Sequence, residues 1–181
     1  MAKRLSFVLA IAMFVIMAGC TKPDPVALVQ NGTIELDKSV TVGNALGRYT
    51  YFKSANWKAE EDAQKRMIVS FQGIPDFDKY PGTKIEYFPG VEITTEMVTK
   101  AKKVFLGKQF SMVYTVEFAI SQDRKTFQVT NAYYRMSGND PKTGKPISED
   151  TKDDKYEIFS AIYKNNPDPT VFGLIFTAGR Q

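Results

Sequence analysis

Apolar side chains return at every second position from Phe110 to Ile120. Phe110, Met112, Tyr114, Val116, Phe118 and Ile120 alternate with Ser111, Val113, Thr115, Glu117 and Ala119. Successive side chains of an extended chain point to opposite faces, so a period of two predicts a strand with one buried face. Residues 122–125 carry turn chemistry, and 126–136 returns with a related pattern, which predicts a long antiparallel hairpin. The return run loses its alternation near Asn131, which predicts a bulge. Two strands alone cannot shield an apolar face of this length, so further strands and a covering layer are required.

The rest of the chain offers candidates for both. Asn31-Gly32 is a type I′ turn signal and predicts a small hairpin between 27–30 and 33–36. Thr41 predicts the cap of a helix over 42–52, with Val42, Ala45, Leu46, Tyr49 and Phe52 on one face. Gly43 and Gly47 weaken it, each by about 1 kcal/mol relative to alanine. Either a backbone or ring packs closely at them or the helix simply tolerates them. Residues 66–72 read as a strand with Met67, Val69 and Phe71 on one side, 73–81 as turns, and 84–88 as a short strand. Thr94 or Thr95 predicts the start of a helix running to Leu106, with Met97, Val98, Ala101, Val104 and Phe105 inward and Gly107 at its end.

Residues 137–149 read as a polar loop. Asp154 with Glu157 resembles a capping box and predicts a helix over 155–164, with Tyr156, Phe159, Ile162 and Tyr163 facing the core. The apolar run 170–177 predicts a last strand. The sum is an α+β domain, an antiparallel sheet of four or five strands with two or three helices packed on one face. Hydrophobic residues make up 43% and charged residues 24%, proportions that suit one self-sufficient core.

The N-terminus carries a different signal. Lys3 and Arg4 precede an apolar run over 5–17 broken only by Ser6, then Met17-Ala18-Gly19-Cys20. A run of this length is too short for a spanning helix, which needs roughly 20 residues, and fits a secretory signal. Ala18-Gly19-Cys20 resembles the small-small-cysteine core of the bacterial lipobox, with Met17 where the family usually has leucine. The resemblance implies cleavage after Gly19, a diacylglyceryl group on the Cys20 sulfur and acylation of the new amino group. Residues 1–19 then form a signal peptide, 20–26 a lipidated tether and 27–181 a single globular domain. Several acyl chains anchor stably where one is marginal. Thr21 is not the aspartate associated with inner-membrane retention, which implies the outer membrane, facing the periplasm, in a Gram-negative cell.

A second, sparser pattern resembles an uncharacterised domain of small bacterial lipoproteins and zinc-ribbon membrane proteins. It rests on Val42-Gly43, Ala45-Leu46, Trp57, Val69, Phe71, Gly73, Val116, Phe118, Thr126-Phe127, Val129 and Ile162-Tyr163. It implies a helix, strand, hairpin, helix order and supplies no activity. This chain carries extra residues between Gly73 and Phe110 and no zinc ribbon.

Composition narrows the chemistry. There is no histidine, and Cys20 is the only cysteine. Ser-His-Asp and Cys-His nucleophilic machinery is therefore excluded, as are imidazole or thiolate zinc sites and an internal disulfide. The net charge of +4 falls to +2 once Lys3 and Arg4 are removed, and no dense basic stripe suggests nucleic acid. Glu60-Glu61-Asp62 and the group Glu149, Asp150, Asp153 and Asp154 are acidic clusters that read as solvated or capping residues, not as calcium or catalytic sites. No cofactor or metal is expected.

Trp57, Tyr133, Tyr134 and Arg135 are of the types enriched at interface hot spots, with core packing as the alternative for each aromatic. Tyr133 and Tyr134 should point to opposite sheet faces. The leading expectation is a membrane-tethered envelope lipoprotein with a non-catalytic domain that binds an envelope protein or supports assembly. A small-molecule or lipid-binding module and a carboxylate or Ser/Lys hydrolase are the alternatives.

Overall fold

The computed structural model describes residues 24–107, 109–140 and 143–180. Cys20, the signal segment and most of the expected tether lie outside the described residues. Five strands form one sheet in sequential antiparallel order: β1 (Phe52–Glu61), β2 (Met67–Pro75), β3 (Ser111–Ile120), β4 (Phe127–Asn139) and β5 (Pro146–Lys152). The alternating run is the central strand, β3. Its even-numbered residues Met112 to Ile120 are all buried, as its sequence requires.

Register extends that buried face across the sheet. Phe118 and Val116 lie opposite Val69 and Phe71 of β2, while Tyr114 and Val116 lie opposite Tyr134 and Ala132 of β4. Glu117 pairs with Asn131 and Phe118 with Val129, so Thr130 is the extra residue of the bulge expected near Asn131. Gly73 continues the face on β2, and the ring of Phe52 fills the space where its Cβ would stand, at 2.6 Å. Helices cover this face. The opposite face stays polar, bearing Lys58, Gln72, Glu117, Arg135 and Lys152.

Among the described residues there are five α-helices: α1 (Pro25–Asn31), α2 (Val42–Gly47), α3 (Thr95–Gly107), α4 (Glu157–Tyr163) and α5 (Pro169–Gly179). A short 3-10 turn, Phe77–Lys79, precedes α3. None of these helices is long and apolar enough to cross a membrane. α3 and α5 pack together so closely that a Cβ on Gly179 would fall 2.7 Å from the Met97 Cα.

Several expectations are corrected. Residues 27–30 and 33–36 form no hairpin: Asp24 caps α1, Pro25 opens it and Gly32 ends it. The helix therefore starts inside the stretch read as tether. α2 stops at Gly47, and Phe52, expected on that helix, begins β1. Residues 84–88 form no strand: 84–85 are irregular and 86–88 turn and bend. Most of the expected loop over 137–149 is strand, in β4 and β5. The apolar run expected as a last strand is α5, with Asp168 as its cap and Pro169 in its first turn. An apolar run of this length is compatible with a buried helix or a buried strand, and here the Asp-Pro start decides.

Candidate functional site

The four side chains singled out for binding divide by sheet face. Tyr133 and Arg135 lie on the polar outer face, Tyr134 and Trp57 on the helix side. Trp57 is half-buried and packs edge-on against Phe71 at 5.0 Å and stacked on Phe118 at 6.1 Å. Tyr134 is fully buried. Both take the core role left open as the alternative. Arg135 reaches across to β5 and donates from Nε and a terminal nitrogen to both oxygens of Asp150, each at 2.8 Å. Asp150 holds the guanidinium pKa up, and Arg135 holds the Asp150 carboxyl below the usual range. The guanidinium lies 5.6 Å from the centroid of the Tyr133 ring, and the Tyr133 hydroxyl donates to Glu117 Oε1 at 3.4 Å.

A second constellation lies between the sheet and the last two helices. Asp153 is 6% exposed and Asp168 fully buried. Asp168 Oδ1 accepts the Thr170 and Val171 amides at 2.7 and 3.2 Å, and its Oδ2 accepts the Tyr134 hydroxyl. Asp153 accepts the Ile158 and Phe159 amides at 3.2 and 2.9 Å and the Tyr114 hydroxyl at 3.1 Å. Each carboxylate thus joins the start of one helix to a tyrosine of the central sheet. Helix starts expose unpaired amides and favour anions, which lets a carboxylate sit there without a cation. Asp153 does the capping expected of Asp154. The helix N-cap position itself is Tyr156, in left-handed backbone with φ 54° and no side-chain cap.

Two more tyrosines complete the cluster. The Tyr49 hydroxyl donates to the Asn166 carbonyl at 3.0 Å, and Tyr80 is fully buried nearby, its ring 5.0 Å from Tyr51. Burial pushes the pKa values of Tyr49, Tyr80, Tyr114 and Tyr134 well up, so all four hydroxyls stay protonated, that of Tyr80 buried without a partner. Burial also raises Asp168 to about 6, against the lowering effect of the Tyr134 hydroxyl and the two amides.

The cluster opens toward a surface feature. A cleft of about 510 Å³ is lined by Asp153, Ile158, Pro169, Tyr87 and Phe88 among others. A second cleft of about 380 Å³, sharing Tyr87, Glu157 and Pro169 with the first, is also lined by Ile85 and Pro167. Tyr87 stands between them, 65% exposed. Its neighbour Phe88 is anchored in α5, stacked on Phe172 at 5.5 Å and against Phe176 at 5.6 Å.

The acidic clusters do not act as units. Glu60 pairs with Lys58 on β1, whereas Asp62 organises the β1–β2 turn through the Gln64 and Arg66 amides and the Arg66 side chain. Glu149 and Asp150 belong to β5 and Asp153 to the buried cluster. Among the described residues no group of three or more acids could hold a metal ion.

The sequence analysis overlooked Asp168, Tyr49, Tyr80 and Tyr87 as functional candidates. Asp168-Pro169 carried a readable signal, since aspartate followed by proline is a preferred helix start. Tyr87 carried none, because its exposure depends on where the loop lands. Set against family models, curated proteins and solved structures, the chain matches none.

Proposed function

We propose that this chain is an envelope lipoprotein, held to the membrane through lipid on Cys20, whose domain is a non-catalytic docking module for another envelope protein. The observation that carries the docking role is Tyr87, an exposed aromatic held between two adjoining clefts lined by Pro167, Pro169 and Phe88. Tyrosine supplies large contact area at small entropic cost, and aromatic anchors beside pockets are the usual energetic centres of interfaces.

The tether supports the placement. α1 is capped by Asp24, four residues after Cys20. At about 3.5 Å per residue this span reaches roughly 14 Å, so lipid on Cys20 holds the domain against the bilayer surface. A partner would then be another protein of that surface.

Metabolic labelling with a palmitate analogue tests the anchor. The wild-type chain is expected to take up label and migrate as a processed form, and Cys20→Ser to do neither. Site-specific photocrosslinking tests the docking face. A crosslinker at Lys84 or Lys164 is expected to give discrete adducts that Tyr87→Ala abolishes, whereas one at Asn56 on the opposite face gives none. Unlabelled wild type refutes the anchor, and adducts indifferent to Tyr87 refute the docking face.

One observation favours a lipid-binding reading second. A groove of about 690 Å³ is lined by Ile34, Leu36, Phe127, Val129, Tyr156 and Phe159, within the size range of ligand pockets.

A further inference from the structure

We infer that the apolar groove at the end of α1 is the face on which the domain rests against the bilayer, with Leu36 and Tyr156 entering the boundary between headgroups and acyl chains. This seat presupposes the lipid anchor proposed above but not the docking role. Ile34, Phe127, Val129 and Phe159 line the groove as buried or half-buried side chains, whereas Leu36 and Tyr156 stand 44% and 38% exposed. Tyr156 is also held in left-handed backbone at φ 54°, where glycine or asparagine would sit more easily. Strain of that kind collects at functional sites, and here it fixes an aromatic ring in the lining of the groove. A tyrosine ring, apolar in body and polar at its tip, matches the headgroup level of a membrane, and a leucine matches the apolar layer beneath.

The tether decides what covers the groove. From Cys20 to Asp24 the chain spans at most about 14 Å, and α1 adds about 10 Å. At the end of α1 the Phe127 ring occupies the space where a Gly32 Cβ would stand, so the groove begins where that helix stops. It therefore lies within roughly 25 Å of the lipid-bearing sulfur, and the high effective concentration of bilayer at that range makes weak insertion sufficient. A second apolar groove, of about 570 Å³, is lined by Phe110, Met136 and the exposed Ile147. It lies toward the other end of β4, roughly 25 Å further along the strand. Anchor length, not apolar character, separates the two. Charge does not draw the first to the membrane, because the two charged side chains that line it, Glu35 and Lys155, are of opposite sign. Lys155 also lines the cleft beside Tyr87, so a domain seated this way holds that cleft near the membrane plane.

Phosphatidylcholine vesicles doped with a carbene-generating phosphatidylcholine test the seat on the purified, acylated protein, with acylation first established by intact mass. Photolysis is expected to place label on 33–36 and 155–159 and to spare 136–139 and 146–148, which belong to the second groove. Leu36→Ser combined with Tyr156→Asn should lower that label by about tenfold, since two partly exposed apolar side chains no longer enter an apolar phase. Both positions are exposed and asparagine suits left-handed backbone, so the thermal midpoint should hold. Adding phosphatidylglycerol to the vesicles should change nothing. Equal label in the two grooves, label confined to the residues just after Cys20, a double variant that labels like wild type, or label that requires phosphatidylglycerol overturns the seat. Equal labelling by a short-chain analogue below its micelle concentration overturns it in favour of a captured single lipid. Protein that carries no acyl group refutes the anchor and the seat together, whereas acylated protein with an unlabelled groove refutes the seat alone.

Discussion

Tyr134 donates its hydroxyl to Asp168 from the helix side of β4, while the other oxygen of the same carboxylate holds the first amides of α5. One side chain therefore closes a helix start and fastens that helix to the sheet. Asp153 repeats the arrangement for α4 with Tyr114. The paired design explains how two short C-terminal segments stay in place. α4 has only seven residues, too few for a helix to persist on propensity alone.

Replacing Asp168 by alanine removes a cap and strands the buried Tyr134 hydroxyl, a loss of about 2–4 kcal/mol by urea denaturation. The pH dependence has a definite sign. The folded-state value of about 6 lies above the unfolded 3.8, so the native state binds the extra proton. The contribution is complete below 3.8 and is lost as pH rises through 6, with an upper limit on the order of 3 kcal/mol. The exposed carboxyls of Asp37, Asp62, Asp123 and Asp150 are held low by hydrogen bonds and oppose this. They contribute above 3.8 and lose their effect as pH falls further. Denaturation midpoints across pH should therefore peak on the mildly acidic side, and Asp168→Asn should remove the decline toward pH 8.

Tyr114→Phe and Tyr163→Phe should differ although each deletes one buried oxygen. The Tyr114 hydroxyl donates to buried Asp153, so its removal costs about 1–2 kcal/mol. The Tyr163 hydroxyl is buried without a partner, so its removal should leave stability unchanged or raise it by up to about 1 kcal/mol. Equal losses in thermal denaturation would show that Tyr163 has a partner in solution.

The β3–β4 turn holds Arg124 in left-handed backbone at φ 57°. Arginine meets a Cβ clash there that glycine avoids. Arg124→Gly should stabilise the domain by about 0.5–1 kcal/mol, visible as a rise of a few degrees in Tm.

What could be read ahead of the coordinates follows from how local each signal is. The hairpin of β3 and β4 was legible because its period of two needs no tertiary information, and the bulge at Thr130 because one extra residue breaks that period. β1 and β5 were not. They are the edge strands, almost wholly exposed, and their charged residues serve to discourage edge pairing. A polar edge strand has no periodic apolar signal to read. α1 and α5 share an Asp-Pro start that was present in the sequence but outweighed by an Asn-Gly pair in one case and an apolar run in the other. The buried cluster joins residues from 49 to 168, and no local pattern could have assembled it.

Gly43 and Gly47 separate close approach from tolerance within one short helix. A Cβ on Gly43 would lie 2.8 Å from the Gln30 carbonyl oxygen and 3.1 Å from its Cα, both backbone atoms of α1. The two helices touch through that missing side chain, and the Val42 amide donates to the Gly32 carbonyl at 2.9 Å beside it. Gly43→Ala must push α1 away from α2, and the expected loss is about 1–3 kcal/mol, the range for an overpacked core. Around Gly47 nothing lies within 4 Å of the added carbon. There Gly47→Ala gains helix propensity and loses backbone freedom in the unfolded chain, so it should add about 0.5–1 kcal/mol. Urea denaturation of the two variants should move the midpoint in opposite directions. Movement in the same direction would mean that α1 does not rest on α2 as this structure places it.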